Sequence, residues 1–179
     1  MSSIVISGDT SGAITLAAPA VSGTNTLTLP ALTGTVTTDK TVGTVLQVVS
    51  ATYSTSTTTT GGTFISSGLS ATITPKFSTS KILVIADMAG LYNGDNNSTG
   101  VSLAIIRGST NIITFAAFTN YIASSVTLLT AAGTNYLDSP ATTSATTYNV
   151  QFKRVGSAGT AGVQANSDTS TLTLMEIAG

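Results

Sequence analysis

Threonine and serine make up about a third of this chain of 179 residues, and many of the threonines alternate with valine, isoleucine or leucine. A threonine side chain branches at Cβ, so it fits the half-exposed face of a pleated sheet better than it fits a helix. Leu69 to Thr74 and Tyr148 to Lys153 alternate in this way, which predicts strands with one buried and one wet face. No helical period of any length is present, so we expect an all-β protein.

Other segments are apolar at successive positions rather than at alternate ones, notably Ile82 to Ile85 and Val101 to Ile106. A strand of this kind is buried on both faces, and we expect the core on one side and a neighbouring subunit on the other. Glycine-rich and asparagine-rich turn signals separate the strand segments. From about Val45 onward the pattern predicts an antiparallel β-sandwich of about eight strands.

The composition argues against catalysis. The chain has no histidine, cysteine or tryptophan, and its six basic and seven acidic residues are scattered. Acid–base chemistry near neutral pH most often uses histidine, and the commonest covalent mechanisms use cysteine or a serine paired with histidine. We therefore predict a protein that is not an enzyme, with no catalytic residues, no cofactor and no metal.

Charge and hydropathy bear on partners and on location. With a net charge of −1 and no basic run, the chain has no electrostatic footprint for nucleic acid or for an anionic membrane. The N-terminus lacks the features of a secretory signal, and the apolar run from Ile82 to Leu91 is too short to span a bilayer. The absence of cysteine fits synthesis in a reducing cytoplasm, and a chain without disulfides is expected to gain stability by oligomerisation.

The first 43 residues differ from the remainder. An apolar residue followed by Ser or Thr and then Gly recurs there three times, and short strand-like runs follow. Each such unit is too short to fold alone. We therefore divide the chain into an N-terminal attachment module, residues 1–43, and a β-sandwich head, residues 44–179. The candidate attachment residues are the apolar positions of those runs: Ile4, Ile6, Ile14, Leu16, Leu27 and Leu29.

Three local patterns have a functional and a structural interpretation. The loop from Asn93 to Gly100 offers oxygen ligands at alternate positions, but no acidic residue closes it, so a hairpin tip is preferred to a calcium loop. Thr-X-Thr pairs such as Thr171 and Thr173 are too irregular for an ice-binding plane and predict a solvated strand face. Asp87 shares a strand face with Lys81, which favours a structural hydrogen bond or an ion pair between subunits.

Two stretches resemble a known group of proteins. The opening, Ile4 to Val36, contains ISGDTSGAITLAAPAVSGTNTLTLPALTGTV and resembles the N-terminal segment of many tail-fibre-like and virion structural proteins of aquatic bacteriophages. The stretch that begins VLQVVSATYST and continues through ITPKFSTSKILVIADM resembles the C-terminal head domain of the same proteins. That head is similar to the trimeric jelly rolls of the tumour necrosis factor and complement-like superfamily. The resemblance implies an antiparallel jelly-roll head and a homotrimer.

This resemblance implies a phage structural protein on the virion surface, made in the cytoplasm of the bacterial host. Because the chain is short, we expect a trimeric capsid decoration protein or short head fibre. A short tail fibre or receptor-binding protein is the alternative, and a bacterial adhesin or ice-binding protein is a third. The implied partners are the chain itself, capsid or tail proteins, and a host surface receptor. The predicted positions in the trimer interface or core are Ile82, Val84, Leu103, Ile105, Leu172 and Leu174.

Overall fold

The computed structural model describes residues 3–7, 13–17, 41–94, 99–122 and 128–179, and within them the chain is built from strands. One short 3₁₀ turn, Ala165–Ser167, precedes the last strand. The chain divides into two compact units, Met1–Val36 and Thr37–Gly179. The strands are β1 (Ser3–Ser7), β2 (Ala13–Ala17), β3 (Val45–Tyr53), β4 (Thr57–Thr59), β5 (Ile65–Ile73), β6 (Lys81–Gly94), β7 (Thr99–Arg107), β8 (Thr110–Ile122), β9 (Leu128–Asp138), β10 (Thr146–Gly156), β11 (Thr160–Val163) and β12 (Ser170–Ile177).

In the first unit, β1 and β2 form an antiparallel hairpin. Its register places Ile4 opposite Leu16 and Ile6 opposite Ile14. Directly opposed residues lie on the same face of a pair, and alternate residues share a face, so these four apolar positions occupy one face of the hairpin. The other two candidate attachment positions, Leu27 and Leu29, lie outside the described residues.

The second unit is a sandwich of a four-stranded and a six-stranded antiparallel sheet. Eight of its strands have eight or more residues, and β4 and β11 are short additions. The four-stranded sheet has the order β5-β10-β7-β8. In the six-stranded sheet, β12 lies between β3 and β6, and β9 pairs with β6.

The order of the long strands identifies the topology. Numbered one to eight along the chain, the long strands run 1-8-3-6 in one sheet and 2-7-4-5 in the other. Most consecutive long strands therefore lie in different sheets, so the chain crosses repeatedly from one sheet to the other. This order is the double Greek key of a jelly roll. The expected all-β antiparallel jelly-roll sandwich is therefore confirmed, and its eight strands correspond to the eight long ones.

The core lies between the two sheets, because alternate residues of each strand point inward. In β12 the inward positions include Leu172 and Leu174, which are fully buried, while Met175 and Ile177 lie on the outer face. In β5 the inward positions include Leu69 and Ile73. Each such side chain stabilises the fold by about 1.5–3 kcal/mol relative to an exposed one.

The outer face of strand β7 is covered within the single chain. Its sequence is apolar at successive positions, which predicts the core on one side and a neighbouring subunit on the other, and Ser102, Ala104 and Ile106 on the outer face are already buried in one chain. Their cross-strand neighbours on β10 include Gln151 and Lys153, whose long side chains can shield small residues beside them. The neighbouring subunit expected over β7 stays a prediction.

Candidate functional site

The outer face of the six-stranded sheet carries an apolar row that crosses four strands. Strand register places Val48 of β3 opposite Met175 of β12, Met175 opposite Leu83 of β6, and Leu83 opposite Leu137 of β9. Residues directly opposite one another point to the same side of a sheet. Val48 and Leu137 are 56% and 47% exposed, whereas Leu83 and Met175 are half-buried between them. We call these four residues the apolar row.

Further apolar positions extend the row. Ile177 of β12 lies opposite Val45 of β3 on the same outer face, and Ile85 of β6 lies two residues beyond Leu83. In β6 and β12 the outer side chains alternate with fully buried core positions such as Val84 and Leu174, so these two strands are apolar on both sides. A monomeric soluble protein rarely leaves a contiguous apolar patch of this kind in water. The row is therefore a candidate subunit-contact surface.

A second exposed apolar group lies at one side of the sandwich, where β8 and β9 are the outermost strands of their sheets. Phe118 of β8 is 63% exposed, and Leu128 and Leu129 of β9 are also exposed. Strand β8 pairs with β7, and β9 pairs with β6, among the described residues. We call Phe118, Leu128 and Leu129 the edge group.

The six residues predicted from sequence for the trimer interface or core all lie in the core of a single chain. Ile82, Val84, Leu103, Ile105, Leu172 and Leu174 have no exposed surface in it. A contact between subunits would therefore use the alternate residues of the same strands, such as Leu83 and Met175. The signal for these was present in the sequence, because both are apolar neighbours of core positions. What sequence could not provide was the strand pairing that aligns them.

A polar cluster closes one end of the sandwich, the end at which β3 begins and β12 finishes, which we call the base. Asp138, at the end of β9, lies between the sheets and is 7% exposed. Its Oδ2 accepts a hydrogen bond from Arg107 Nη1 at 2.6 Å and another from the Tyr148 hydroxyl at 2.6 Å. Arg107 ends β7 and Tyr148 lies in β10, so this base cluster ties the six-stranded sheet to the four-stranded sheet.

The surroundings of Tyr148 in the base cluster shift the pKa of its hydroxyl. Burial raises the pKa of the Tyr148 hydroxyl well above its usual value, the hydrogen bond to Asp138 and the negative charge of Asp138 raise it further, and Arg107 lowers it in part. The phenol therefore stays protonated and donates to the carboxylate. Because Arg107 supplies the countercharge, Asp138 is a buried carboxylate that is both paired and hydrogen-bonded.

A second buried carboxylate, Glu176 of β12, also lies near the base. Its Oε2 accepts a hydrogen bond from Gln47 Nε2 at 2.5 Å, and its Oε1 accepts one from the backbone N–H of Lys76 at 2.7 Å. Burial alone raises the pKa of Glu176, but these hydrogen bonds outweigh burial, so its pKa lies below the usual value for glutamate. Glu176 links β3, β12 and the connection before β6.

Asp87 lies on the outer face of the six-stranded sheet, opposite Thr171 on one side and Gly133 on the other. It is exposed, and it is on the same face as Lys81 and Leu83, as the alternation predicts. A side chain at Gly133 would collide with the Asp87 carboxylate. The ion pair with another subunit stays a prediction.

The loop from Asn93 to Gly100, considered as a calcium loop from its sequence, is described only in part. In this loop, the Asn93 side chain donates to the Thr99 carbonyl and accepts from the Leu128 N–H. Positions 95–98 of this loop lie outside the described residues. Across the described ranges, no three Asp, Glu, His or Cys side chains form a group that could hold a metal ion. No helix in that part of the chain is long and apolar enough to cross a membrane.

No protein-family model matches this chain. No curated protein matches it either. Among solved structures, it is similar to the VP2 subviral particle of infectious bursal disease virus, with a TM-score of 0.44, 13% identity, and coverage of 83% of this chain and 41% of that one. A second similar structure, from the Gx strain of the same virus, has a TM-score of 0.39, 14% identity, and coverage of 96% and 40%. The chain thus spans about two-fifths of each, and similarity at this level assigns no function.

Proposed function

We propose that this protein is a structural component of the surface of a phage virion. In this proposal the head forms a homotrimer through the apolar row, and the N-terminal unit attaches the trimer to the particle. The capsid is the first choice of attachment site, as a decoration protein or short head fibre, and the tail is the alternative. The resemblance of both units to phage virion proteins in sequence supports the part of the proposal that places the protein on a virion.

The observation that carries the proposal is the apolar row. Four strands contribute to it, and in an isolated head Val48 and Leu137 would keep about half of their surface in water. Burying such side chains in a subunit contact is favourable by about 25 cal/mol for each Å² removed from water. Assembly of identical subunits with closed symmetry is the usual way in which soluble chains cover such a surface.

The N-terminal hairpin supports the attachment role. Ile4, Ile6, Ile14 and Leu16 share one face of β1 and β2, and a two-stranded hairpin is at best marginally stable alone in water. A face of this composition becomes stable when another surface covers it. In the proposal that surface belongs to the particle, and Leu27 and Leu29 contribute to the same contact.

Light scattering on the purified protein tests the trimer. A trimer has three times the chain mass of 17.9 kDa, about 54 kDa. A folded species of single-chain mass at micromolar concentration would contradict the trimer.

Attachment is tested by removing the first 40 residues. Thr41 to Thr44 must be kept, because the Gly43 N–H donates to the Ala178 carbonyl and the Ala178 N–H donates to the Thr44 carbonyl. The truncated protein is expected to remain a folded trimer that no longer binds particles. Truncated protein that still decorates particles would refute the attachment role.

Copy number separates the two attachment sites. A capsid decoration protein is present in tens to hundreds of copies on each particle, whereas a tail fibre is present in a small multiple of the tail symmetry. Quantitative mass spectrometry of intact particles, with the major capsid protein as the internal reference, gives this number. A count of only a few trimers would select the tail.

A further inference from the structure

An open depression of about 360 Å³ lies at the base of the head, beside the base cluster. Arg107 lines it together with Pro140, Thr142 and Thr146, which belong to the connection between β9 and β10 and to the start of β10. Its volume is at the lower end of the range of small-molecule sites. None of the residues of the apolar row or of the edge group lines it, so its interpretation does not depend on the trimer.

Arg107 is held in a fixed position at this depression. Asp138 accepts from its Nη1 and in turn accepts from Tyr148, so both partners of the ion pair are restrained. The Arg107 side chain is 27% exposed and the Asp138 side chain is 8% exposed. Arg107 is thus the partner of the ion pair that lines the depression, while Asp138, which balances its charge, is buried.

The other polar groups of the depression are hydroxyls. Thr142 Oγ1 accepts a hydrogen bond from the Ser144 N–H at 3.0 Å, which leaves its own proton for another acceptor. Thr146 Oγ1 donates to the Ser144 carbonyl at 3.0 Å. The available donors are thus the remaining N–H groups of Arg107 and the Thr142 hydroxyl, and the ligand that fits them offers acceptor oxygens.

The backbone beside these residues is strained. Ala141, between Pro140 and Thr142, has a φ of 52°, in the left-handed region that an alanine rarely adopts. Such a conformation is unfavourable for a residue with a Cβ and persists where the surrounding structure enforces it, frequently at ligand sites. Here it sets the course of the segment that brings Thr142 to the depression of Arg107.

We propose that this depression binds a carboxylate, with Arg107 donating to the two oxygens and Thr142 donating to one of them. A guanidinium matches the geometry of a carboxylate with two parallel hydrogen bonds, which a single ammonium cannot reproduce. Pro140 and Ala145 supply apolar surface for the carbon skeleton that bears the carboxylate. Two sources offer this chemistry at the right size: a sugar acid and the C-terminal carboxylate of a peptide.

Calorimetric or NMR titration of the full-length protein tests the proposal with four probes. Glucuronate and acetyl-Ala-Ala carry a carboxylate, and methyl glucoside and the amide of acetyl-Ala-Ala are their neutral counterparts. At least one carboxylate is expected to give saturable binding while its neutral counterpart gives none. Binding of glucuronate alone selects sugar acids, and binding of acetyl-Ala-Ala alone selects peptide termini. If no carboxylate saturates, or if the neutral counterparts bind equally well, the proposal fails.

Two variants locate the site. Arg107→Lys keeps a cation beside Asp138 but cannot donate two parallel hydrogen bonds to the ligand. Affinity for the carboxylate is therefore expected to fall by about tenfold or more. Thr142→Val removes one donor and is expected to reduce affinity severalfold, whereas Thr173→Val, on the outer face of β12 and away from the depression, leaves it unchanged. Melting temperatures report folding separately, and the Thr142 variant keeps the test valid should the Arg107 variant fold poorly. Unchanged affinity in Thr142→Val, or in a folded Arg107→Lys, would overturn the assignment.

Discussion

The two sheets of the head have equivalent inner faces and different outer faces. Both bury aliphatic and aromatic side chains in one core. On the outside, the four-stranded sheet presents polar residues, including Ser70, Thr72 and Thr147, and a hydrogen bond of 2.7 Å joins the last two across β5 and β10. The six-stranded sheet instead presents the apolar row. Solvent satisfies these polar residues, whereas the apolar row is the surface that a subunit contact covers under the proposed function.

The two lateral edges of the sandwich also differ, because side chains cover one edge and apolar residues are exposed at the other. At the side formed by β3 and β5, the Tyr53 ring lies directly over Gly68, where any Cβ would collide with it, and Gln47 Nε2 donates to the Thr74 carbonyl at 2.7 Å. At the side formed by β8 and β9, the edge group is exposed. The apolar row and the edge group are separate patches, which fits a head-to-tail ring in which the edge of one copy covers the row of the next.

The largest effect is expected where inner and outer positions are compared within one strand. Leu174→Asp removes about 2 kcal/mol of burial from each subunit and places a carboxylate where Leu174 has no exposed surface. The variant is expected to aggregate or to remain unfolded. Thr173→Asp, at the neighbouring outward position, is expected to fold. Circular dichroism and soluble yield measure the difference, and a Leu174→Asp protein that melts like the parent would refute the assignment of inner and outer faces.

The second expected effect separates the two outer faces. Leu83→Lys, in the middle of the apolar row, is expected to give a folded monomer, because a lysine there would be desolvated in the contact. Thr72→Lys, at the polar outer face of the other sheet, is expected to leave the trimer intact. Sedimentation velocity gives the masses. Trimers of equal stability in both variants would show that the apolar row is not the contact.

Mixing two variants tests whether the apolar row of one copy contacts the edge group of another. Phe118→Lys damages the edge and keeps the row, whereas Leu83→Lys damages the row and keeps the edge. In a head-to-tail ring each variant alone is expected to be monomeric, and the mixture is expected to form a heterodimer through its one intact pair of surfaces. If the row instead meets the row of another copy, Phe118→Lys still assembles alone. That result would reject the ring and leave the row as the contact.

The sequence predicted the inner faces well, because a strand with one wet face alternates visibly, as in Leu69 to Thr74. The apolar residues on both sides of β12, Leu174 and Met175, are also visible in the sequence, and this strand pairs with both β3 and β6. The sequence did not predict what covers β7. Burial of Ala104 depends on cross-strand neighbours such as Gln151, and that pairing is not visible in local sequence.

The candidate sites were harder to predict for the same reason. The apolar row consists of residues from four strands that are far apart in sequence, and only the register aligns Val48 with Met175 and Leu137. The base cluster likewise joins Arg107 to Asp138 across 31 residues. Neither Arg107 nor Asp138 belongs to a recognisable motif, so the residues next to them in sequence do not indicate that they form a pair. Charge pairs between sheets follow from topology, which the sequence indicated only through its strand count and its resemblance.

A smaller effect is expected from the tie between the two sheets at the base. Tyr148→Phe removes the hydroxyl that donates to Asp138, and leaving a buried acceptor without this bond costs about 1–3 kcal/mol. Urea denaturation of Tyr148→Phe, Asp138→Asn and the double variant measures the coupling. Because the two groups share one hydrogen bond, the double variant is expected to lose less stability than the sum of the single variants. Strict additivity would show that the contact does not contribute to holding the sheets together.

The smallest effect on stability is expected from Glu176. This residue also lies at the base, but its hydrogen-bond partners are Gln47 and Lys76, not the residues of the base cluster. Its pKa is lowered in the folded protein, so the unfolded chain binds the proton more readily. The stabilisation by the carboxylate is therefore complete at neutral pH, begins to fall near the ordinary glutamate pKa of 4.5, and is lost once the pH passes below the folded value. Glu176→Gln keeps the shape without this titration. Melting temperatures measured from pH 7 downward are expected to fall more steeply in the parent than in Glu176→Gln, and parallel curves would show that Glu176 does not contribute to acid sensitivity.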